Sequence, residues 1–152
     1  MTVDVPVSRL RDAMAGDAAR LAEIYNHYVR ETVITFEEEP VAVEEMARRI
    51  AEVTARWPWL VAEREGRVVG YAYATPWRTR SAYRHSVECT VYLEAGAVGR
   101  GNGSRLYDAL LARLRSGGAH LAIGGIALPN ARSVALHEKC GFRQVAQFHE
   151  VG

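Results

Sequence analysis

Val98-Gly99-Arg100-Gly101-Asn102-Gly103-Ser104 follows a strand pattern directly and opens a helix pattern directly. On its N-terminal side, Arg84 to Leu93 alternates. Val87, Cys89, Val91 and Leu93 share one face of a strand, and Glu88, Thr90 and Tyr92 share the other. On its C-terminal side, Leu106, Leu110 and Leu114 form a stripe on a helix expected from about Gly103 to Ser116, which Gly117-Gly118 stops. Three glycines at alternate positions let the backbone take positive φ and bring successive N–H groups onto one concave side. The helix start adds free amides and a partial positive charge. Together these make a seat for a pyrophosphate, to which Arg100 and Arg105 add charge; the alternative is a glycine-rich turn with no ligand. The stretch lacks Gly-Lys-Ser/Thr, so it is not a nucleoside-triphosphate loop. It also lacks G-x-G-x-x-G spacing and does not follow the first strand, which argues against a dinucleotide fold.

Outward from this unit, Val7 to Ala13 reads as a short strand. Asp17 is placed to accept a bond from a free amide in the first turn of a helix whose apolar positions are Ala18, Leu21, Ile24, Tyr25 and Tyr28. Glu31 to Pro40 is a loop in which Phe36 is expected to be buried, and Val43 to Ala55 is a second helix. Trp59 to Ala62 and Arg67 to Thr75 form a hairpin around Glu65-Gly66, and Pro76 interrupts it. Leu121 to Ala127 is a strand, Pro129-Asn130 leads into a helix that Gly141 ends, and Phe142 to about His149 is expected as a last strand. This order predicts an α+β domain with helices on both faces of a mixed sheet.

The 152 residues suit a single domain spanning 1–152, and 49% apolar with 24% charged residues is a globular composition. A formal net charge of +1 gives no support for a nucleic-acid or membrane-surface partner. No apolar run approaches the ~20 residues needed to cross a bilayer, and Met1 to Leu10 has no basic, apolar signal-peptide pattern. Cys89 and Cys140 stand far apart and fit free thiols in a reducing cytoplasm. His27, His85, His120, His137 and His149 show no ligand spacing, so no metal site is expected.

Asn130-Ala131-Arg132-Ser133-Val134-Ala135-Leu136-His137-Glu138-Lys139-Cys140-Gly141-Phe142 is the second informative stretch. Paired with the upstream strand, glycine loop and helix, it resembles the two-part signature of the GNAT acetyltransferase superfamily. Tyr25-Asn26-His27-Tyr28, Trp57 to Glu63, Gly70 to Tyr73, Pro76-Trp77-Arg78, Ala82-Tyr83 and Val87 to Tyr92 resemble the phosphinothricin/methionine-sulfoximine acetyltransferases within it. The resemblance implies a GNAT fold, a central mixed and mostly antiparallel sheet with helices on both faces. It implies acetyl-CoA as co-substrate, transfer to the amine of a small amino-acid analogue by direct attack in a ternary complex, and a homodimer. Two departures stand out. Val98 occupies a position where the superfamily usually has Gln or Arg, and the chain ends at Gly152 where the family continues into a further strand. A C-terminal strand is therefore expected to be missing and a sheet edge exposed.

By that resemblance Glu88 is the general base. Its ordinary pKa of about 4.3 lies far below that of an ammonium, so burial, a relaying water or a purely orienting role is implied. Val91, Tyr92 and Leu93 are expected at the cofactor, Val91 and Leu93 through backbone groups freed where the strand splays from its neighbour. The diphosphate falls to Gly99, Arg100, Gly101, Asn102, Gly103 and Ser104. Asn130 is assigned to the pantetheine arm or to a helix cap, with Ser133 and Lys139 as further cofactor contacts. His137 and Tyr107 both remain candidates for protonating the thiolate. Arg78, Arg80 and Tyr83 are expected to hold the acidic group of the acceptor, and Phe36 and Tyr73 to wall it. Other amine acceptors, or a coenzyme A-binding module without turnover, are the competing functions.

Overall fold

The computed structural model describes residues 7–152. Its elements run β1 (Arg9–Asp12), α1 (Ala18–Glu31), α2 (Val43–Thr54), β2 (Trp59–Arg64), β3 (Arg67–Pro76), β4 (Ser86–Leu93), α3 (Asn102–Ser116), β5 (Leu121–Gly124) and α4 (Ala131–Lys139). The sheet has the order β1-β2-β3-β4-β5. The first three pairings are antiparallel and β4–β5 is parallel. That change of direction follows from α3, which carries the chain back across one face between β4 and β5.

Alternation along β2 sorts the two cores. Trp59 and Val61 face α1 and α2, with Leu21, Ile24, Met46 and Ile50; Leu60 and Ala62 face α3, with Leu106, Leu110 and Leu114. The hairpin turn uses Glu65 and Gly66, both at positive φ (52° and 78°), as a two-residue turn between right-twisted strands requires. Ala62 pairs with Gly70 but Glu63 pairs with Val68, so Val69 is an extra residue on β3. The bulge resets the alternation: Val68 joins the α1/α2 core while Val69 joins the α3 core.

The structure departs from the sequence expectations at several places. β4 begins at Ser86 rather than Arg84, and Pro76 is the last paired residue of β3, opposite Val87, rather than a break after Thr75. β1 covers Arg9–Asp12 rather than the whole of Val7 to Ala13. Asp17 does not cap α1 with its side chain. The Arg11 guanidinium takes both its oxygens, at 2.8 and 2.9 Å, and the Met14 amide adds a third bond, which together hold the carboxyl below its usual range. Phe36 is 62% exposed instead of buried, because its loop lies outside both cores. β5 stops at Gly124 instead of Ala127. Phe142 to His149 forms no strand: among the described residues no strand of the sheet lies beside it to supply a ladder. Only Phe142 is anchored, against Tyr107 and His137.

Leu110, fully buried between α3 and the sheet, offers a check on the α3 core. Leu110→Ala is expected to lower unfolding free energy by about 2–5 kcal/mol. Val145→Ala, at a position 84% exposed, is expected to change it by less than about 0.5 kcal/mol; urea denaturation measures both.

Candidate active site

The site forms where β4 and β5 part. Backbone directions in β4 follow from the bonds at its ends. Glu94 donates its N–H to the Val69 carbonyl (2.8 Å) and Trp77 donates to the Ser86 carbonyl (3.0 Å), both on the β3 side. His120 and Leu121 donate to the His85 carbonyl (2.8 and 3.2 Å), on the β5 side. Since peptide groups alternate along a strand, the odd residues of β4 point to β5 and the even ones to β3. β5 pairs only with Ser86 to Cys89. The amides of Val91 and Leu93 therefore point to a side where the sheet has ended. The Tyr28 hydroxyl donates to the Leu93 carbonyl across this gap, tying α1 to β4. Tyr92 differs from its neighbours: its amide faces β3, and its ring packs against Tyr25, Tyr28 and Tyr71 on the α1 face.

Glu88 flanks the gap on the α1 face. It is half-buried, and loss of hydration raises its carboxyl above the ordinary range. Its Oε1 lies 3.1 Å from where a Cβ on Gly125 would stand, so the carboxylate sits at the mouth of the split. Tyr73 lies on the same face, opposite Thr90, stacked on Trp59 with centroids 4.1 Å apart.

Tyr107 and His137 flank the gap on the opposite face. A carbonyl has no proton, so the 2.7 Å bond from His137 Nδ1 to the Ser133 carbonyl places a hydrogen on Nδ1. Nε2 of the neutral ring is then an acceptor, and the Tyr107 hydroxyl donates to it at 3.0 Å. Both residues are buried, and burial pushes the Tyr107 phenol well up. The Tyr107 oxygen also stands 3.4 Å from the Cys89 carbonyl, at the last rung of the β4–β5 ladder. A Cβ on Gly124 would lie 2.6 Å from His137 Cδ2 and 2.7 Å from Nε2. Only glycine allows the imidazole this close to β5, and just beyond it the strand leaves the sheet.

The glycine loop lies past the open end of β4. Gly99 and Gly101 both take φ of 77°, and Gly101 caps α3 in the left-handed conformation. Gly103 is helical instead, and its small size makes room for Leu136 of α4. Arg100 is exposed and Ser104 half-buried. The Asn102 side chain is turned inward, 5% exposed, so it offers no side-chain contact to the loop's outer surface. Asn130 caps α4, its side-chain oxygen accepting from the Ser133 amide at 3.2 Å. Lys139 is exposed at the far end of that helix.

Among the proposed acceptor contacts, Arg78, Arg80 and Tyr83 lie on the exposed β3–β4 connection. β3 leaves the sheet next to the Thr75–Glu88 pair, so this connection begins at the Glu88 end of the site. Arg78 rests over the Trp77 ring, 5.1 Å from its centroid. Among the described residues, neither Arg78 nor Arg80 has a carboxylate partner. Phe36 stands apart, against Gly152. Sequence patterning did not reveal Tyr28, Gly124 or Ser8, whose roles depend on contacts across elements. The isolated Gly124-Gly125 pair ending a strand was the one available signal.

The family profile described as Acetyltransferase (GNAT) domain matches residues 10–152. The chain is 40% identical to a phosphinothricin N-acetyltransferase of Streptomyces coelicolor, over 95% of this chain and 86% of that protein. It is 36% identical to an L-methionine sulfoximine/L-methionine sulfone acetyltransferase of Salmonella typhimurium, over 94% and 84%. A phosphinothricin acetyltransferase structure from Sinorhizobium meliloti, in complex with acetyl-CoA, superposes with a TM-score of 0.87 at 40% identity, covering 91% of this chain and 76% of that one. The chain belongs to the GNAT acetyltransferase family. It is an acetyl-CoA-dependent N-acetyltransferase with the open α+β sheet of that fold. Among the described residues, no helix is long and apolar enough to cross a membrane.

The close approach at Gly124 has a measurable consequence. Gly124→Ala is expected to force the buried His137 ring aside and to destabilise the fold by about 1–3 kcal/mol. Gly96→Ala, where an added Cβ meets nothing within 4 Å, is expected to be near neutral. Paired thermal melts check the difference.

Proposed function

We propose that this enzyme acetylates the amine of a small amino-acid analogue of the phosphinothricin or methionine sulfoximine type, by direct attack on acetyl-CoA in a ternary complex. The observation that carries the proposal is the parting of β4 and β5 between Glu88 on one face and Tyr107–His137 on the other. The outward amides of Val91 and Leu93 suit the pantetheine arm and the thioester oxygen, where two fixed donors would stabilise the tetrahedral oxyanion. The open amides of Gly99 to Ser104 and the Arg100 charge suit the diphosphate, and the free amide nitrogen of Asn130 suits the arm. Ser133 then acts through His137, and Lys139 adds only distant charge.

Glu88 takes the amine proton. Its raised pKa brings it nearer the acceptor ammonium and makes it a stronger base than a solvated carboxylate. On the other face, a phenol pushed up by burial is a poor acid alone. Once the His137 Nε2 has taken a proton from solvent, that obstacle is removed: the Nε2–H passes to the Tyr107 oxygen as the Tyr107 hydrogen passes to the departing thiolate, and the ring returns to its neutral form. Tyr107 is then the donor and His137 its source, which assigns a role to each.

The guanidinium groups of Arg78 and Arg80, without a carboxylate partner among the described residues, suit the phosphinate, sulfoximine or carboxylate end of the acceptor, with Tyr83 alongside and Tyr73 as an inner wall. Phe36, exposed and against Gly152, is left out of the acceptor wall. The exposed apolar side chains Val145, Phe148 and Val151 support pairing of two copies over the segment beyond α4.

Thiol release from acetyl-CoA with methionine sulfoximine or phosphinothricin tests the activity. The wild-type kcat/KM is expected to rise with pH as Glu88 deprotonates, on a limb displaced above the normal carboxylate range. In Glu88→Gln that limb disappears and turnover falls by about 10²–10⁴-fold, while acetyl-CoA affinity is kept; unchanged turnover removes Glu88 from the mechanism. Arg80→Ala is expected to raise the acceptor KM by about tenfold, the loss of roughly 1.4 kcal/mol, with the acetyl-CoA KM unchanged. Equal effects on both substrates exclude the clamp.

A further inference from the structure

A chain of buried polar groups sits behind the glycine loop, and no step of the chemistry above uses it. Arg105 Nη1 donates to Ser8 Oγ at 2.8 Å. Ser8 Oγ–H donates to Asn102 Oδ1 at 2.6 Å, and Asn102 Nδ2 donates to the Ala97 carbonyl at 3.0 Å. The directions are consistent throughout, since the single hydroxyl hydrogen goes one way and a lone pair receives the other. Ser8 and Asn102 are 3% and 5% exposed. Buried polar groups persist in a fold only when bonded in this way.

The placement of the chain gives it a purpose. Ala97 is the residue before Val98 and Asn102 opens α3, so the Asn102–Ala97 bond joins the two ends of the Val98–Gly101 turn. That turn contains both positive-φ glycines, Gly99 and Gly101, and a glycine-rich segment is the most entropically costly kind to hold in one shape. Val98 has no side-chain donor with which to stiffen the turn or reach a ligand. Arg105, one helical turn beyond Asn102, has no carboxylate partner among the described residues. Its positive charge is held beside the N-terminus of α3 by a neutral hydroxyl, and no carboxylate among the described residues compensates it there.

We infer that Ser8 and Asn102 are positioning residues that hold the diphosphate-binding turn and the Arg105 charge in their binding arrangement before the cofactor arrives. This inference rests on the acetyl-CoA site proposed above. Their side chains act through the turn's backbone and through Arg105, without touching the donor. Their effect is therefore confined to the diphosphate end of acetyl-CoA and leaves the thioester end unaffected. A turn ordered in advance loses less freedom on binding, which appears as affinity.

The test compares two acetyl donors, acetyl-CoA and S-acetylpantetheine, which carries the thioester and its arm without the diphosphate. The measured quantity is the ratio of their KM values. Ser8→Ala is expected to raise the acetyl-CoA KM about threefold to tenfold relative to that of S-acetylpantetheine. Ser8→Thr, which keeps the hydroxyl, is expected to restore the ratio. Asn102→Asp keeps the acceptor for Ser8 but loses the donor to Ala97, and moves the ratio in the same direction, which provides a second reading should Ser8→Ala fold poorly. A ratio unchanged in both Ser8→Ala and Asn102→Asp, whether neither KM moves or both move together, overturns the inference and leaves these residues as ordinary core. Wild-type protein that binds no coenzyme A in calorimetry overturns the site proposal itself, and the positioning role with it. Wild-type binding with an unmoved ratio defeats the positioning role alone.

Discussion

The last rung between β4 and β5, Cys89 opposite Gly124, is the constraint on which the site depends. Up to that rung the two strands share a parallel ladder; beyond it β4 continues to Leu93 paired with β3 on one side and open on the other. Unpaired ladder groups inside a protein are costly unless something binds them. At the rung the His137 ring fills the space beside Gly124 with the Tyr107 oxygen 3.4 Å from the Cys89 carbonyl, and beyond it the Tyr28 hydroxyl donates to the Leu93 carbonyl. The buried pair thus occupies the point at which the sheet opens. Packing and the proposed chemistry meet at one place: the residues that end the ladder are those to which the proposed mechanism gives the leaving group.

The two faces of the opening differ in character because alternation along β4 sends different side chains to each. The α3 face receives Val87 and Cys89, and burial pushes the Cys89 thiol up to about 12, leaving it inert. The α1 face receives Glu88, Thr90 and Tyr92 beside Tyr25, Tyr28, Tyr71 and Tyr73. The hydroxyls of this cluster tie elements together, as Tyr25 does to Thr35 at 2.6 Å and Tyr28 does to the Leu93 carbonyl. Glu88 stands on the same face, half-buried, and the loss of hydration raises its carboxyl. Polar braces elsewhere follow the same logic: Arg20 holds the bulge through the Val68 carbonyl at 2.9 Å while pairing with Glu94, the residue that follows β4.

Local signals made most of the fold legible. Alternation in β4, the Leu106-Leu110-Leu114 stripe, and the Glu65-Gly66 turn each have a period or a backbone requirement carried within a few residues, and each element formed where its pattern lay. Patterns that depended on a distant partner were misjudged. Phe142 to His149 has strand-like composition but no strand beside it. Phe36 is apolar but lies outside both cores, and Asp17 sits in a capping position yet is drawn away by Arg11. The Val69 bulge left no trace in the sequence, since an inserted residue and a continued alternation of valines look alike.

The sequence by itself determined the element order, the glycine turn with its positive-φ positions and the face of β4 on which Glu88 stands. All of these follow from steric rules acting over a few bonds. Tertiary structure alone decided that β5 ends at Gly124, that His137 accepts from Tyr107 rather than facing solvent, and that Asn102 turns inward to Ser8. Those outcomes depend on contacts between residues 30 and 94 positions apart. Which of several possible hydrogen-bond partners a side chain meets is settled only when the helices have packed and the sheet has opened.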